Sequence, residues 1–262
     1  MTDNKKDIFK RIGTTVTNVI KMYSLNAEKE IDEKFRTQMV NSVYSLTSIY
    51  VLLKFIADHP KQDEVTDKLF DSQILIWQAC NSMLAALQLI RQGYPLEPQF
   101  LMRVAIESFS LAMSFHVDES SYIKYKHRNL SGKDCIGTAK TVIPELGQIY
   151  GLLSETSHPS KRTTGNNYNS QSKSLIIGGG YTEDLSHRVL FNLSLLNYML
   201  LTLWKGSELV FFSFEEDHKF WVEKNDGYVL RLDDSIKQLV ENVGKDFKKA
   251  IDSINKNKSS KS

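Results

Sequence analysis

The sequence is poor in the residues that build disulfide frameworks and metal centres. Only two of its 262 residues are cysteines, and these, Cys80 and Cys135, lie far apart in the chain and form no metal-binding motif or disulfide pattern. Its six histidines show no HExxH or comparable ligand spacing. We therefore expect no metal and no cofactor, and a reducing, cytoplasmic environment.

Strong net charge and long apolar runs are also missing. The net charge of +2 is too small to indicate a nucleic-acid partner by itself. A very apolar run without a charged residue, Val189 to Trp204, has sixteen residues, fewer than the roughly 20 that span a bilayer. It includes Asn192 and Asn197, and we predict a buried core helix and no membrane span. No apolar segment follows the charged N-terminus, so no signal peptide is predicted.

Catalytic signatures are missing as well, since there is no GxSxG, Walker or Cys/His nucleophile pattern. Apolar residues instead recur at helical spacing along most of the chain, which predicts an all-α bundle of about seven or eight helices. Two long helices, joined by the turn sequence GYPLEP, should form a central antiparallel hairpin over about 64–116. The first of them is predicted to bury a face made of Phe70, Ile74, Trp77, Leu84 and Leu87.

The pattern divides the chain into three regions. Residues 1–35 are predicted to form an N-terminal helix and an exposed acidic linker, and residues 36–213 the helical core. Residues 214–262 are predicted to form an aromatic loop and an amphipathic helix packed on the core. The lysine-rich tail from Lys245 could contact nucleic acid or acidic lipid, or could simply be solvated.

The second helix of the hairpin, Pro98 to Phe115, is apolar on nearly every side and is therefore predicted to be buried. It nevertheless carries Arg103 and Glu107, which are four residues apart and can touch on a helix. Two interpretations fit. The pair is either a buried structural ion pair that fixes helix register or the lining of a functional polar pocket.

A later helix, ending near Pro159, carries three polar residues on one face, because Tyr150, Ser154 and His158 are each four residues apart. This face could meet Arg103 and Glu107 across a helix interface, where Glu107 would orient the imidazole of His158 for acid–base chemistry. His158 could instead interact only with the carbonyls at the end of its helix.

These two motifs, R-x-x-x-E at Arg103 and Glu107 and Y-x-x-x-S-x-x-x-H-P from Tyr150 to Pro159, resemble a bacterial family of unknown function within the HEPN-like helical group. The resemblance covers about residues 40–210 and implies an all-α bundle. Many HEPN proteins are dimeric, metal-independent RNases of toxin or antiphage systems and carry an R-x(4–6)-H motif. No arginine of this chain has a histidine at that spacing.

Three functions follow as hypotheses. The leading one is a cytoplasmic binding or regulatory module whose polar pocket comprises Arg103, Glu107, Tyr150, Ser154 and His158. The second is a metal-independent RNase effector of a bacterial stress or phage-defence system, in which Arg103, Glu107 and His158 would be catalytic candidates and Arg103 would stabilise the phosphorane charge. The third is a purely structural or oligomerisation module. The expected partners are RNA or a protein, with a homodimer possible.

Overall fold

The structure is a computed structural model that describes residues 24–58, 66–157, 168–169, 174–175, 179–210, 221–224, 227–230, 241–249 and 252. Its helices are Leu25–Lys34 (α1), Arg36–Asp58 (α2), Asp67–Arg91 (α3), Glu97–Val117 (α4), Glu119–Lys126 (α5), Gly132–Ala139 (α6), Glu145–Ser157 (α7) and Ser186–Val210 (α8). Residues 241–249 are also helical, and a short 3-10 turn, Glu183–Leu185, precedes α8. The all-α bundle predicted from the sequence is confirmed.

Two short antiparallel ribbons accompany the helices. They pair Tyr168–Asn169 (β1) with Ser174–Leu175 (β2), and Trp221–Lys224 (β3) with Gly227–Leu230 (β4). The second ribbon lies in the stretch that the sequence predicted to be an aromatic loop. The predicted N-terminal helix at 5–23 and most of the lysine-rich tail lie outside the described residues.

Helix α4 is the centre of the bundle. It packs along α3, to which the residues 92–96 connect it, and also contacts α5, α6, α7 and α8. Pro98 occupies its first turn, where the missing N–H leaves no helical hydrogen bond unmade. The residues of α4 that these neighbours bury are Pro98, Gln99, Met102, Ala105, Ile106, Ser108, Phe109, Ser110, Ala112, Met113, Ser114 and Phe115.

One strip of α4 is not buried, which corrects the prediction that its apolar residues lie inside the bundle on nearly every side. Phe100 and Val104 are exposed, and the side chains of Arg103 and Glu107 retain 24% and 37% of their accessible surface. These residues remain accessible because the neighbouring helices pack on the other faces of α4 and cover this strip only in part.

Helix α3 buries only part of the face predicted for it, since Leu87 is buried and Trp77 packs against the core. Its core residues are Ile76, Ala79, Cys80, Met83, Ala86, Leu87 and Ile90. Phe70, Ile74 and Leu84, which the sequence assigned to the core, are exposed. Both faces are apolar at helical spacing, and the small residues on the buried face allow the close packing of α4.

The acidic segment that the sequence assigned to an exposed linker is helix α1. Ala27 and Ile31, four residues apart, are buried on its inner side. An acidic residue of α1 forms an ion pair with α3. Arg91 of α3 donates to both carboxylate oxygens of Asp32, at 2.9 and 2.6 Å. This segment is therefore part of the bundle.

The apolar run predicted to be a core helix forms most of α8, and its two asparagines are buried and hydrogen-bonded. Asn192 donates to the carbonyl of Pro95 at 3.1 Å and accepts from Gln99 at 2.8 Å. Asn197 donates to the carbonyl of Gln38 at 3.0 Å and accepts from Ser42 at 2.7 Å. These amides fix the register of α8 against α2 and α4.

Two other helices, α3 and α4, are long and apolar enough to cross a membrane by length and composition alone. Within their most apolar windows, 44% of the residues in α3 and 56% of those in α4 are buried inside the bundle. Core helices of soluble proteins pass the same test, so this finding is weak evidence for a membrane span.

Helix α8 approaches a side chain of α4 closely at Gly206. A Cβ atom at this position would lie 2.3 Å from Cζ of Phe109 and 2.8 Å from Cδ1 of Ile143. Gly206 thus lets a buried aromatic ring of α4 lie against the backbone of α8.

We expect Gly206→Ala to destabilise the protein by about 1–3 kcal/mol, because overpacking at Phe109 outweighs the gain in helix propensity, which is about 1 kcal/mol. The control is Gly151→Ala in α7, where a Cβ would meet no atom within 4 Å. This control should raise the free energy of unfolding in urea. Equal effects of the two substitutions would contradict the close approach.

Candidate functional site

Helices α4 and α7 bring three of the five predicted site residues together. Nε of Arg103 donates to Oε1 of Glu107 at 3.0 Å, one turn along α4. Nη2 of Arg103 donates to the hydroxyl oxygen of Tyr150 at 3.2 Å, and the guanidinium carbon lies 5.3 Å from the centre of the Tyr150 ring. Arg103 therefore connects the two helices and holds the Glu107 carboxylate in place.

The electrostatic environment of this cluster is intermediate between core and solvent. The hydrogen bond that Arg103 donates to Glu107 is the main cause that raises the pKa of Arg103 above its ordinary value, with partial burial acting in the opposite direction. Both side chains keep contact with water, since 24% and 37% of their surfaces are accessible. The pair is thus reachable by a ligand and is not a fully buried ion pair, which was one of the two interpretations of the sequence.

The other two predicted residues do not join this hydrogen-bonded cluster in the described part of the chain. Ser154 lies one turn after Tyr150 on α7, and its buried hydroxyl oxygen has no hydrogen-bond partner among the described residues. His158 lies outside the described residues, and its predicted approach to Glu107 stays a prediction.

Glu107 also lines a cleft of about 480 Å³ between α3, α4 and the segment from α5 to α6. Clefts of this size commonly bind small molecules. Its wall combines apolar side chains with the polar residues Gln78, Glu107, Ser108, Tyr125 and Arg128. An acidic residue, Glu107, and a basic residue, Arg128, thus line the same cleft.

Arg128 has an unusual backbone conformation at this cleft. Its φ of 58° makes it the one described residue other than glycine with a positive φ. The N–H of Arg128 donates to the carbonyl of Tyr125 at 2.9 Å, and the N–H of Asn129 donates to that of Lys124 at 2.8 Å. These two bonds form a Schellman motif that ends α5. Glycine normally takes the left-handed position, and an arginine there is strained.

Sequence reasoning missed Gln78, Tyr125 and Arg128 as candidate site residues. They come from α3 and from the C-terminal end of α5, and they meet Glu107 only through the packing of both helices on α4. The sequence His127-Arg128-Asn129 contains one weak signal, because asparagine often ends a helix in the left-handed conformation. That signal points to Asn129, and the structure assigns the conformation to Arg128.

A second titratable group is partly buried at a distance from this cleft. His116, near the end of α4, lies against Ser72 of α3 with 2.9 Å between Nε2 and Oγ. The Ser72 hydroxyl donates to the carbonyl of Lys68 at 2.8 Å, so it accepts from Nε2–H. Burial, followed by the nearby Lys68 ammonium, lowers the pKa of His116 to about 4, although Glu119 acts in the opposite direction. The imidazole is therefore neutral near pH 7.

Within the described ranges, no three His, Cys, Asp or Glu side chains lie close enough together to hold a metal ion. Comparison of the chain with protein-family models, curated proteins and solved structures returns no match. Any function must therefore be argued from the cleft itself.

We predict that the Arg103–Glu107 pair contributes about 1 kcal/mol or less to stability, because partly exposed pairs are weakened by solvent screening. A double-mutant cycle with Arg103→Gln and Glu107→Gln, measured by urea unfolding, gives the coupling energy. The pair Glu241–Lys245, at 3.5 Å and with both side chains 65% exposed, is the reference for an exposed pair. A coupling of roughly 3–5 kcal/mol would instead indicate a desolvated pair.

We also predict that His116 makes the protein less stable in acid. The unfolded chain binds this proton near pH 6.5 and the folded chain only near pH 4, so stability falls as the pH drops between these values. The full loss is roughly 3 kcal/mol. His116→Gln should flatten the pH dependence of the free energy of unfolding over this window. The exposed control His127→Gln should leave the wild-type curve unchanged.

Proposed function

We propose that this protein is a cytoplasmic binding or regulatory module that takes a small polar ligand in the cleft beside Glu107. The observation that carries the proposal is that Arg128 lines the cleft and has a left-handed backbone conformation. Glycine would hold the same helix end without strain. An arginine at this place is best explained by a use for its guanidinium.

The lining residues indicate the chemistry of the ligand. The hydrogen bond from Arg103 involves Oε1 of Glu107, and a carboxylate has further lone pairs that accept from a ligand N–H group. The guanidinium of Arg128 suits a carboxylate or another planar anion. A ligand with both groups, such as a free amino acid, matches this pair. The apolar part of the wall would accept its side chain.

In this proposal Arg103 and Tyr150 position Glu107 and do not contact the ligand. The guanidinium of Arg103 already donates to the carboxylate of Glu107 and the hydroxyl of Tyr150. Holding Glu107 in one rotamer reduces the entropy that ligand binding costs.

The RNase alternative depends on His158 beside Arg103. Because Arg103 donates to Glu107 and Tyr150, its geometry favours a supporting function over contact with a phosphate. The structural alternative is disfavoured by the accessibility of the pair and by the cleft that Glu107 lines. Experiments distinguish both alternatives from the proposed function. The partner would be RNA in the RNase alternative and a protein in the structural alternative.

We expect Arg128→Gly to keep or raise stability, by up to about 1 kcal/mol, while ligand binding is lost. Glycine relieves the backbone strain of the folded protein, which stabilises it. This gain offsets the destabilisation that comes from the greater conformational entropy of glycine in the unfolded chain. In contrast, Lys124→Gly, on the same helix with right-handed backbone, should cost about 1 kcal/mol. Urea unfolding measures both variants. A marked loss of stability in Arg128→Gly would show that the arginine serves the fold.

Binding is measured by calorimetry with free amino acids, diamines and dicarboxylates as separate probes. The amino acids should bind best, and Arg128→Gly and Glu107→Gln should each raise Kd by about tenfold or more. Lys133→Gln, an exposed residue outside the cleft, should have no effect. If no amino acid binds, the proposal fails. Metal-free cleavage of a mixed RNA pool that disappears in His158→Ala would establish the RNase alternative instead.

A further inference from the structure

The cleft beside Glu107 contains a buried hydroxyl group that the fold does not use. Ser108 of α4 lines the cleft and keeps only 8% of its accessible surface. Buried serines in helices commonly donate to the carbonyl one turn earlier, as Ser72 and Ser207 do at 2.8 and 2.7 Å. The Ser108 hydroxyl has no hydrogen-bond partner among the described residues. A molecule in the cleft, either water or a ligand, is needed to satisfy it.

The position of Ser108 distinguishes it from other buried serines that lack a partner. Ser45, Ser110 and Ser194 also make no side-chain hydrogen bond to a described residue, but their oxygens are sealed from solvent. The Ser108 oxygen is not one of these sealed atoms, and its residue forms part of a cavity wall. A ligand in the cleft can therefore reach this hydroxyl.

A second uncharged polar side chain at the cleft, Gln78 of α3, is also without a hydrogen-bond partner among the described residues. The other glutamines of α3 are engaged, since Gln73 donates to a carbonyl of α2 and Gln88 to a carboxylate of α1. The Gln78 amide and the Ser108 hydroxyl can each donate and accept. Together they suit a ligand group that also does both.

The charges of the cleft limit the side chain of the ligand. Among the lining residues, Glu107 and Arg128 are the charged ones, and the proposed function assigns them to the ammonium and carboxylate groups of an amino acid. Burial raises the pKa of the Cys135 thiol, which stays neutral and donates to the carbonyl of Ser131 at 3.1 Å. A charged ligand side chain would meet no further opposite charge in the lining, which makes its desolvation costly.

A purely apolar side chain is a poor match for a different reason. It would displace water from Ser108 and Gln78 without replacing the lost hydrogen bonds, and this loss weakens binding. Leu75 and Leu111 provide apolar surface for a methylene stem. A methylene stem that ends in a primary amide fits both features, because the amide donates through its N–H groups and accepts through its oxygen.

We propose that the amino acid bound in this cleft is glutamine or asparagine, and that Ser108 and Gln78 select it by hydrogen bonds to its side-chain amide. The inference rests on the proposed function, because Glu107 and Arg128 must hold the ammonium and carboxylate groups. It adds the chemistry of the ligand side chain.

Calorimetry with the full chain compares each amide amino acid with two analogues of similar shape. Glutamine is measured beside glutamate, which adds a charge, and norleucine, which lacks the amide. Asparagine is measured beside aspartate and leucine. At least one amide amino acid should bind about tenfold or more tightly than both of its analogues, since a site built to hydrogen-bond a polar group rejects analogues without it.

Two variants test the selecting residues. Ser108→Ala and Gln78→Met should each raise the Kd of the preferred amide amino acid by about tenfold and leave that of its apolar analogue within a few fold. Neither should lower the free energy of unfolding, since neither removes a side-chain hydrogen bond among the described residues. Ser207→Ala, in a buried serine outside the cleft, is the control and should leave every Kd unchanged.

Three results would overturn this inference and leave the proposed function intact. Equal Kd values for the amide amino acids and their apolar analogues would show that the cleft recognises only ammonium and carboxylate groups. Tighter binding of glutamate or aspartate would exclude an uncharged side chain. A Ser108→Ala variant that weakens all the amino acids equally would act through the shape of the cleft. If none of the six amino acids binds, the proposed function fails together with this inference.

Discussion

The fold depends on the burial of α4, because α3, α5, α6, α7 and α8 all use this helix as their common packing surface. Close packing of α4 on several sides requires small residues at some of the contacts. At Gly206, the absence of a side chain lets the ring of Phe109 lie against the backbone of α8. The same arrangement decides where chemistry is possible. Arg103 and Glu107 are accessible because they lie on the one strip of α4 where this cover ends.

The sequence predicted the fold class and the main helices well but assigned several exposed residues to the core. A helical period identifies that a segment is amphipathic, and α3 is apolar on two faces with the same period. Phe70 and Ile74 are on the exposed one, whereas Ile76 and Met83 are on the buried one. Which face is buried depends on the neighbouring helices. Helix α1 shows the opposite error, since its acidic composition predicted an exposed segment. Two of its residues, Ala27 and Ile31, are nevertheless buried against the bundle.

The candidate site was predictable only where its residues are local or evenly spaced. Arg103 and Glu107 lie one helical turn apart, and Tyr150 belongs to the second polar stripe, so spacing alone suggested their meeting. Arg128 gave no such signal, because the left-handed conformation was expected of glycine or asparagine. The backbone strain at Arg128 is shown by its positive φ, which is known only from the structure. It is therefore the feature that structure adds most clearly to the sequence.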